Sequence, residues 1–185
     1  MNEEQHISDL KNHFLIAMPG LQDPYFMHSV VYIHEHSDTG ATGFIVNKPT
    51  NVKIAEILER VELASDDEAL TERPTLLGGP VSQEQIYLMM HDKDNLTPQT
   101  IKVSYSPETL AEVVNPESKQ EALFFLGYAS WEPGQLENEI ANNGWLIVPY
   151  SNDILFDLPY VNRYEAAASL IGVDIANLSG DVGHA

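Results

Sequence analysis

The stretch "GYASWEPGQLENEIANNGWLIVP", residues 127–149, decides how this chain folds. Its start completes an apolar run, ALFFLGYA (122–129), which predicts a buried strand. Pro133-Gly134 interrupts that run. Gln135 to Asn142 then predicts a helix, with Leu136 and Ile140 on one face and Asn143-Gly144 as its stop. WLIVP (145–149) returns to strand composition. Trp131 and Trp145 stand before and after the helix, and each has a large ring to bury and an indole N–H that needs an acceptor. The segment is therefore expected to be a strand, turn, helix, turn, strand unit. Tryptophans pin both its ends, and polar residues at the helix start face a groove.

Towards the N-terminus, FLIAM (14–18), SVVYIHEH (29–36) and FIVNKP (44–49) are strand-like, the last stopped by Pro49. Asp23-Pro24 has the form of an N-cap followed by the first helical residue. SDTGATG (37–43) supplies a tight turn, so the second and third strands are expected as a hairpin. A helix capped by Asn51 is expected to run to about Leu63, because Ile54, Ile57, Leu58 and Val61 recur at i, i+3, i+4 and i+7. After the acidic connection ASDDEALTERP (64–74), TLLGGPV (75–81) and IYLMMH (86–91) read as strands flanking a turn. IKVSY (101–105) is a further strand, and Pro107 begins a helix, PETLAEVV (107–114). YSNDILFD (150–157) and YEAAASLIGV (164–173) read as helices. Strands and helices mix without strict alternation and hairpins come early. The fold class is therefore α/β of the α+β kind, a mixed or antiparallel sheet with helices packed on it. No linker divides the chain, so residues 1–185 are expected to form a single domain.

Composition narrows the chemistry. With no Cys, disulfides, thiolate metal sites and Cys nucleophiles are excluded. No apolar run approaches the roughly 18 residues of a membrane span. The acidic start MNEEQHISDLKNH is the opposite of a signal peptide, so a cytoplasmic protein with no membrane contact is expected. The net charge is −19, from 28 acidic against 9 basic side chains that form no run. A nucleic-acid duplex or an anionic membrane would repel such a chain, so direct DNA binding at physiological salt is expected to be negligible.

Three motifs carry potential chemistry. His34 and His36 end a strand, and alternation would put both on one face at a spacing some zinc sites use. No third ligand is identifiable, so no metal is expected. Gly78-Gly79 would let backbone approach a phosphate, yet neither a dinucleotide nor a P-loop pattern surrounds the pair, and a tight strand turn explains it better. Glu132, Glu137 and Glu139 supply carboxylates, but Glu137 and Glu139 are two apart and diverge on a helix. Ser130 lacks the glycines of a nucleophile elbow.

HFLIAMPGLQDPYF (13–26), SVVYIHEH, GATGFIVNKP (40–49), LLGGPV (76–81), LGYASWEPGQLENEI (126–140) and the terminal GHA stand in a specific order and spacing. By these the chain resembles the YqgE/AlgH family of small bacterial proteins over nearly its full length. It departs from the family at Gln83-Glu84-Gln85-Ile86-Tyr87, where relatives commonly show an Asp-Arg-Gly-Phe-like stretch, and at His34, where they often carry Cys. The resemblance implies a bifurcated sheet curled into a partial barrel with helices packed around it. It implies no catalytic residues and no cofactor. One branch of the family bears the label of a transcriptional regulator of alginate production.

The expected function is that of a binding or regulatory protein acting through a protein or small-molecule partner. The residues expected at its binding site are Gln22, Asp23, Glu35, His36, Gly78, Gly79, Gln135 and Glu137. The alternative is an enzyme using groups from Asn12 and His13, Gln22 and Asp23, Glu35 and His36, and Gln135 and Glu137, with His36 and a nearby carboxylate as a base near neutral pH; a third reading, direct transcriptional regulation, rests on the family label alone. Convergence of these groups in one pocket favours the enzyme, and an exposed apolar patch favours partner binding.

Overall fold

One strand belongs to two sheets, and the rest of the architecture follows from it. In the computed structural model, which describes residues 9–178, the strands are β1 (Phe14–Ala17), β2 (Val30–Ser37), β3 (Gly40–Ile45), β4 (Pro49–Lys53), β5 (Pro74–Leu77), β6 (Val81–Asp92), β7 (Lys102–Ser104), β8 (Gln120–Trp131) and β9 (Trp145–Val148). The C-terminal end of β8 pairs with β3 through Ala129↔Gly43 and Trp131↔Ala41. Its remainder pairs antiparallel with β6, and parallel with β5 at Phe125 and Leu126. The strand order is β4-β5-β8-β3-β2-β1-β9, with β6 and then β7 branching from β8. Twist accumulated along this long shared strand turns its two ends in different directions. The sheet is mixed, bifurcated and curled into a half-barrel with helices around it, in agreement with the expected fold class.

The continuous apolar runs are explained by burial on both faces of the sheet. Along β1, Phe14 and Ile16 enter one core with Tyr32, Phe44, Phe125 and Tyr164, while Leu15 and Ala17 enter another with Ile33, Trp131 and Trp145. Helix α5 (Arg163–Leu170) closes the first core through Tyr164, Ala167 and Ala168, and α4 (Gln135–Ala141) closes the second through Leu136. A third core lies under α1 (Ile54–Arg60) and α3 (Pro107–Val113), against Leu88, Met90 and Phe124. Arg163, the first residue of α5, is buried and donates to the carbonyls of Val46 (2.7 Å) and Leu158 (3.0 Å), and burial brings its pKa down to about 10.

Several local expectations give way to pairing. Asn51 caps no helix, because residues 49–53 form β4 against β5, and α1 starts at Ile54. Pro49 is tolerated there because β4 is an edge strand. At the start of α1, Glu56 Oε1 accepts from the Lys53 N–H at 3.0 Å. The third strand begins at Gly40 rather than Phe44, since Ser37 already pairs with Gly40 and only two residues are needed for the turn. Asp23 does accept from the N–H groups of Tyr25 (2.8 Å) and Phe26 (3.1 Å), as a cap should. Its helix stops after one turn, at His28 with φ 57°, because β2 must begin at Val30. The acidic connection contains a short helix, α2 (Glu68–Thr71), capped by Asp67. Ser106 caps α3, with Pro107 in its first turn. Asp153–Asp157 is a π-helical turn rather than an α-helix.

Candidate functional site

The quoted segment builds a closed hydrogen-bonded clasp. Glu139 Oε2 accepts from both indoles, Trp131 Nε1 at 3.0 Å and Trp145 Nε1 at 2.8 Å. Its other oxygen accepts from Gln135 Nε2 at 3.0 Å, one helical turn away. Gln135 Oε1 in turn accepts from the Glu132 N–H at 3.0 Å, which ties the helix start to the end of β8. The tryptophans are 4% and 2% exposed, as their flanking positions led us to expect. Phe26 packs between them at ring distances of 5.8 and 5.5 Å. Sequence reasoning named Glu139 as a carboxylate but assigned it no partner, although it lies four residues from Gln135 and between two residues that need an acceptor.

Glu137 diverges from Glu139, as helical spacing requires, and meets His36. Its Oε1 lies 2.7 Å from His36 Nε2, while the Leu10 N–H donates to Nδ1 at 3.0 Å. An Nδ1 that accepts leaves the ring proton on Nε2, so His36 donates to Glu137. Asp9 Oδ1 lies 3.8 Å from Nδ1, beyond hydrogen-bond distance. The His36 side chain is only 7% exposed. Burial pushes the Glu137 carboxyl up, but the hydrogen bonds from His36 and from its own backbone N–H outweigh this and hold it below the usual carboxylate range.

A lowered folded-state pKa gives stability that is present above the ordinary Glu value and lost as pH falls through the lowered one. Glu137→Gln should therefore be less stable than wild type at neutral pH. The gap should narrow once pH drops below the ordinary value of 4.5. Urea midpoints of both proteins across this range test it, and a gap that stays constant refutes it.

His34 and His36 do not share a face. Ile33 pairs with Gly43 and Glu35 with Thr42, so His34 is the extra residue of a β-bulge that reverses the alternation. His34 turns towards Phe44, at 6.5 Å between rings, and His36 towards Leu10 and Glu137. Burial lowers the His34 pKa, against the pull of Glu35. Among the described residues no three His, Cys, Asp or Glu side chains come together as metal ligands.

Gly78 and Gly79 are not a tight hairpin turn. Leu77 lies beside Leu126 on one edge of β8 and Val81 beside Tyr128 on the other, so Gly78-Gly79-Pro80 crosses the strand. The close approach that paired glycines permit is made here to β8 itself. A Cβ on Gly78 would sit 2.1 Å from the Gly127 carbonyl oxygen, and one on Gly79 2.3 Å from the Tyr128 carbonyl.

Gln22 and Asp23 are exposed on the turn that joins these regions. Beside Phe26 in its place between the tryptophans, Tyr25 accepts at its hydroxyl from Gln83 (3.3 Å), whose amide also reaches the Pro80 carbonyl (3.5 Å). Lys48 donates to the Tyr25 carbonyl. Glu35 lies elsewhere, paired with Lys11 at 3.0 Å. The expected site residues are thus distributed between the clasp, the crossing, the exposed turn and the end of β2.

Two concavities bring further residues together. A groove of about 280 Å³ lies between α1, β6 and the start of α3. Ile57, Val61, Ile86, Tyr105 and Leu110 line it together with Glu84, and Tyr105 is 68% and Val61 45% exposed. Its sequence signal was Val61, which carries the apolar stripe of α1 beyond the helix end. A wider cleft of about 570 Å³ lies between the end of β2 and β7, with Asn12, His34 and Glu35 facing Gln99, Ile101 and Lys102.

The chain is similar to proteins already described. A family model described as AlgH-like matches residues 14–176. A UPF0301 protein of Chromobacterium violaceum is 42% identical over 181 residues, which covers 95% of this chain and 97% of that protein. A UPF0301 protein of Coxiella burnetii is 41% identical over 176 residues, with the same shares covered. The solution structure of AlgH from Pseudomonas aeruginosa matches with a TM-score of 0.75 at 36% identity, over 100% of both chains. A crystal structure from Corynebacterium diphtheriae, at 20% identity, TM-score 0.68 and 91% coverage of both chains, is a likeness of fold alone.

Proposed function

The chain belongs to the AlgH-like family, and from that premise we propose that it is a binding or regulatory protein that acts in the cytoplasm through a protein partner. The observation that carries this is the exposed apolar groove between α1, β6 and α3, where Tyr105 and Val61 leave large apolar surfaces in water. Apolar side chains gathered at one concave place mark an interaction surface more often than singly scattered ones do. Glu84 lies in the lining and the chain carries a net charge of −19, so the partner segment is apolar with flanking Lys or Arg.

The alternative, an enzyme with His36 as its base, has less support because both ring nitrogens are already engaged by Leu10 and Glu137. Direct regulation of DNA is disfavoured by the same net charge. Among the described residues no helix is long and apolar enough to cross a membrane.

The test is cross-linking in the native cell, followed by purification and mass spectrometry, for wild type and Tyr105→Glu. A partner recovered with wild type and depleted about tenfold or more with the variant supports the proposal, since a charge buried against apolar groups costs well over the 1.4 kcal/mol that a tenfold change represents. Equal recovery by two equally stable proteins overturns it.

A further inference from the structure

The cleft between β2 and β7 has a composition unlike the rest of this acidic molecule. Asn12 stands on one wall in a left-handed conformation, φ 61°. Its backbone N–H donates to the Ile33 carbonyl at 2.9 Å, and its Oδ1 accepts from the Tyr32 hydroxyl at 2.7 Å. With the oxygen engaged by Tyr32, the Nδ2 donors of Asn12 are left for the cleft. His34 adds an imidazole to the same wall, and Lys11 stands beside it. Lys11 is paired with Glu35, but both side chains are largely exposed (41% and 57%), so that pair is weak and easily redirected.

The opposite wall carries Gln99 and Lys102, and among the described residues Lys102 has no carboxylate partner. Donors and cations therefore face each other across the cleft against the single carboxylate of Glu35. Buried Ile101 gives the lining an apolar part. The volume, about 570 Å³, is that of a small organic molecule rather than an inorganic ion.

We propose that this cleft binds a small organic anion, a carboxylate or phosphate monoester with an apolar body, held between Lys102 and the Lys11–Asn12 wall. The site is separate from the groove assigned to the protein partner, and its test does not depend on that groove. Phenyl phosphate, benzoate and phenol serve as probes in a titration followed by two-dimensional amide NMR. Saturable shifts at Asn12, His34, Gln99 and Lys102 with either anion are expected, and whichever anion binds more tightly tells phosphate from carboxylate.

Phenol should bind about tenfold more weakly or not at all, the scale of one charge-assisted hydrogen bond. Lys102→Glu should weaken the anion about tenfold or more, and Lys102→Gln should weaken it less. Lys93→Glu makes the same charge change at a residue that lines a different concavity, and it should weaken the anion clearly less than Lys102→Glu because it removes no direct contact. Phenol binding as tightly as the anions, saturation by neither anion, shifts confined to other residues, or equal weakening by Lys93→Glu and Lys102→Glu would each overturn the proposal.

Discussion

Gly79→Ala should leave little folded protein. The added methyl would lie 2.3 Å from both the carbonyl carbon and oxygen of Tyr128 and 2.4 Å from the Ala129 nitrogen. All three are backbone atoms of β8, which is held on both sides by β5, β6 and β3, so no rotamer change relieves the clash. Overpacking a core commonly costs about 1–3 kcal/mol when side chains can adjust. Here the crossing strand would have to lift away, so a loss above about 3 kcal/mol is expected, a large part of the 5–15 kcal/mol of a typical domain. Gly20→Ala is the control, since nothing lies within 4 Å of the Cβ it would gain. It should be neutral or slightly stabilising, by about 0.4–1 kcal/mol through the unfolded chain. Urea unfolding of the two variants decides the matter, and a Gly79→Ala cost under about 1 kcal/mol would show that the crossing is looser than these distances imply.

Trp131→Ala should destabilise by about 3–5 kcal/mol, the range for a buried large aromatic. The indole is 4% exposed, stacks with Phe26 and meets Trp145 edge to face at 6.1 Å. Its removal opens a cavity on the second core and takes one donor from Glu139, which keeps Trp145 and Gln135. Trp131→Phe separates the two effects: it retains most of the ring and loses the N–H. A hydrogen bond to a charged group contributes about 1.5–3 kcal/mol, so Phe should recover roughly half of the alanine loss. Denaturant midpoints for the series give the answer. A cost below about 1.5 kcal/mol for alanine would mean that the clasp does not hold the helix in place.

How far the site could be read from the chain depends on which contacts are local. The divergence of Glu137 from Glu139 follows from helical geometry, and their partners do not. His36 comes from a strand 101 residues away, and it reaches Glu137 only because a bulge at His34 turns it to that face. No composition signal marks that bulge, and strict alternation therefore put both histidines on one face. The paired glycines were expected to make a tight strand turn. Their close approach to another strand was not legible, because β8 lies more than forty residues later in the chain. The groove and the cleft were invisible for the same reason, since each is a gap between elements distant in sequence.

The sequence by itself determined the elements whose burial is periodic or continuous: the apolar runs of β1, β2, β8 and β9, the stripe of α1, and the helix between two tryptophans. It also determined the acidic character that disfavours nucleic acid. The tertiary structure alone decided that residues 49–53 would pair as a strand rather than begin a helix, that the Asp23 cap would carry only one turn, and that one strand would serve two sheets. The physical reason is that propensities and caps differ by about 1 kcal/mol per site, whereas pairing a strand satisfies several backbone groups and buries its side chains at once. Where the two conflict, the pairing wins, and it is set by residues far along the chain.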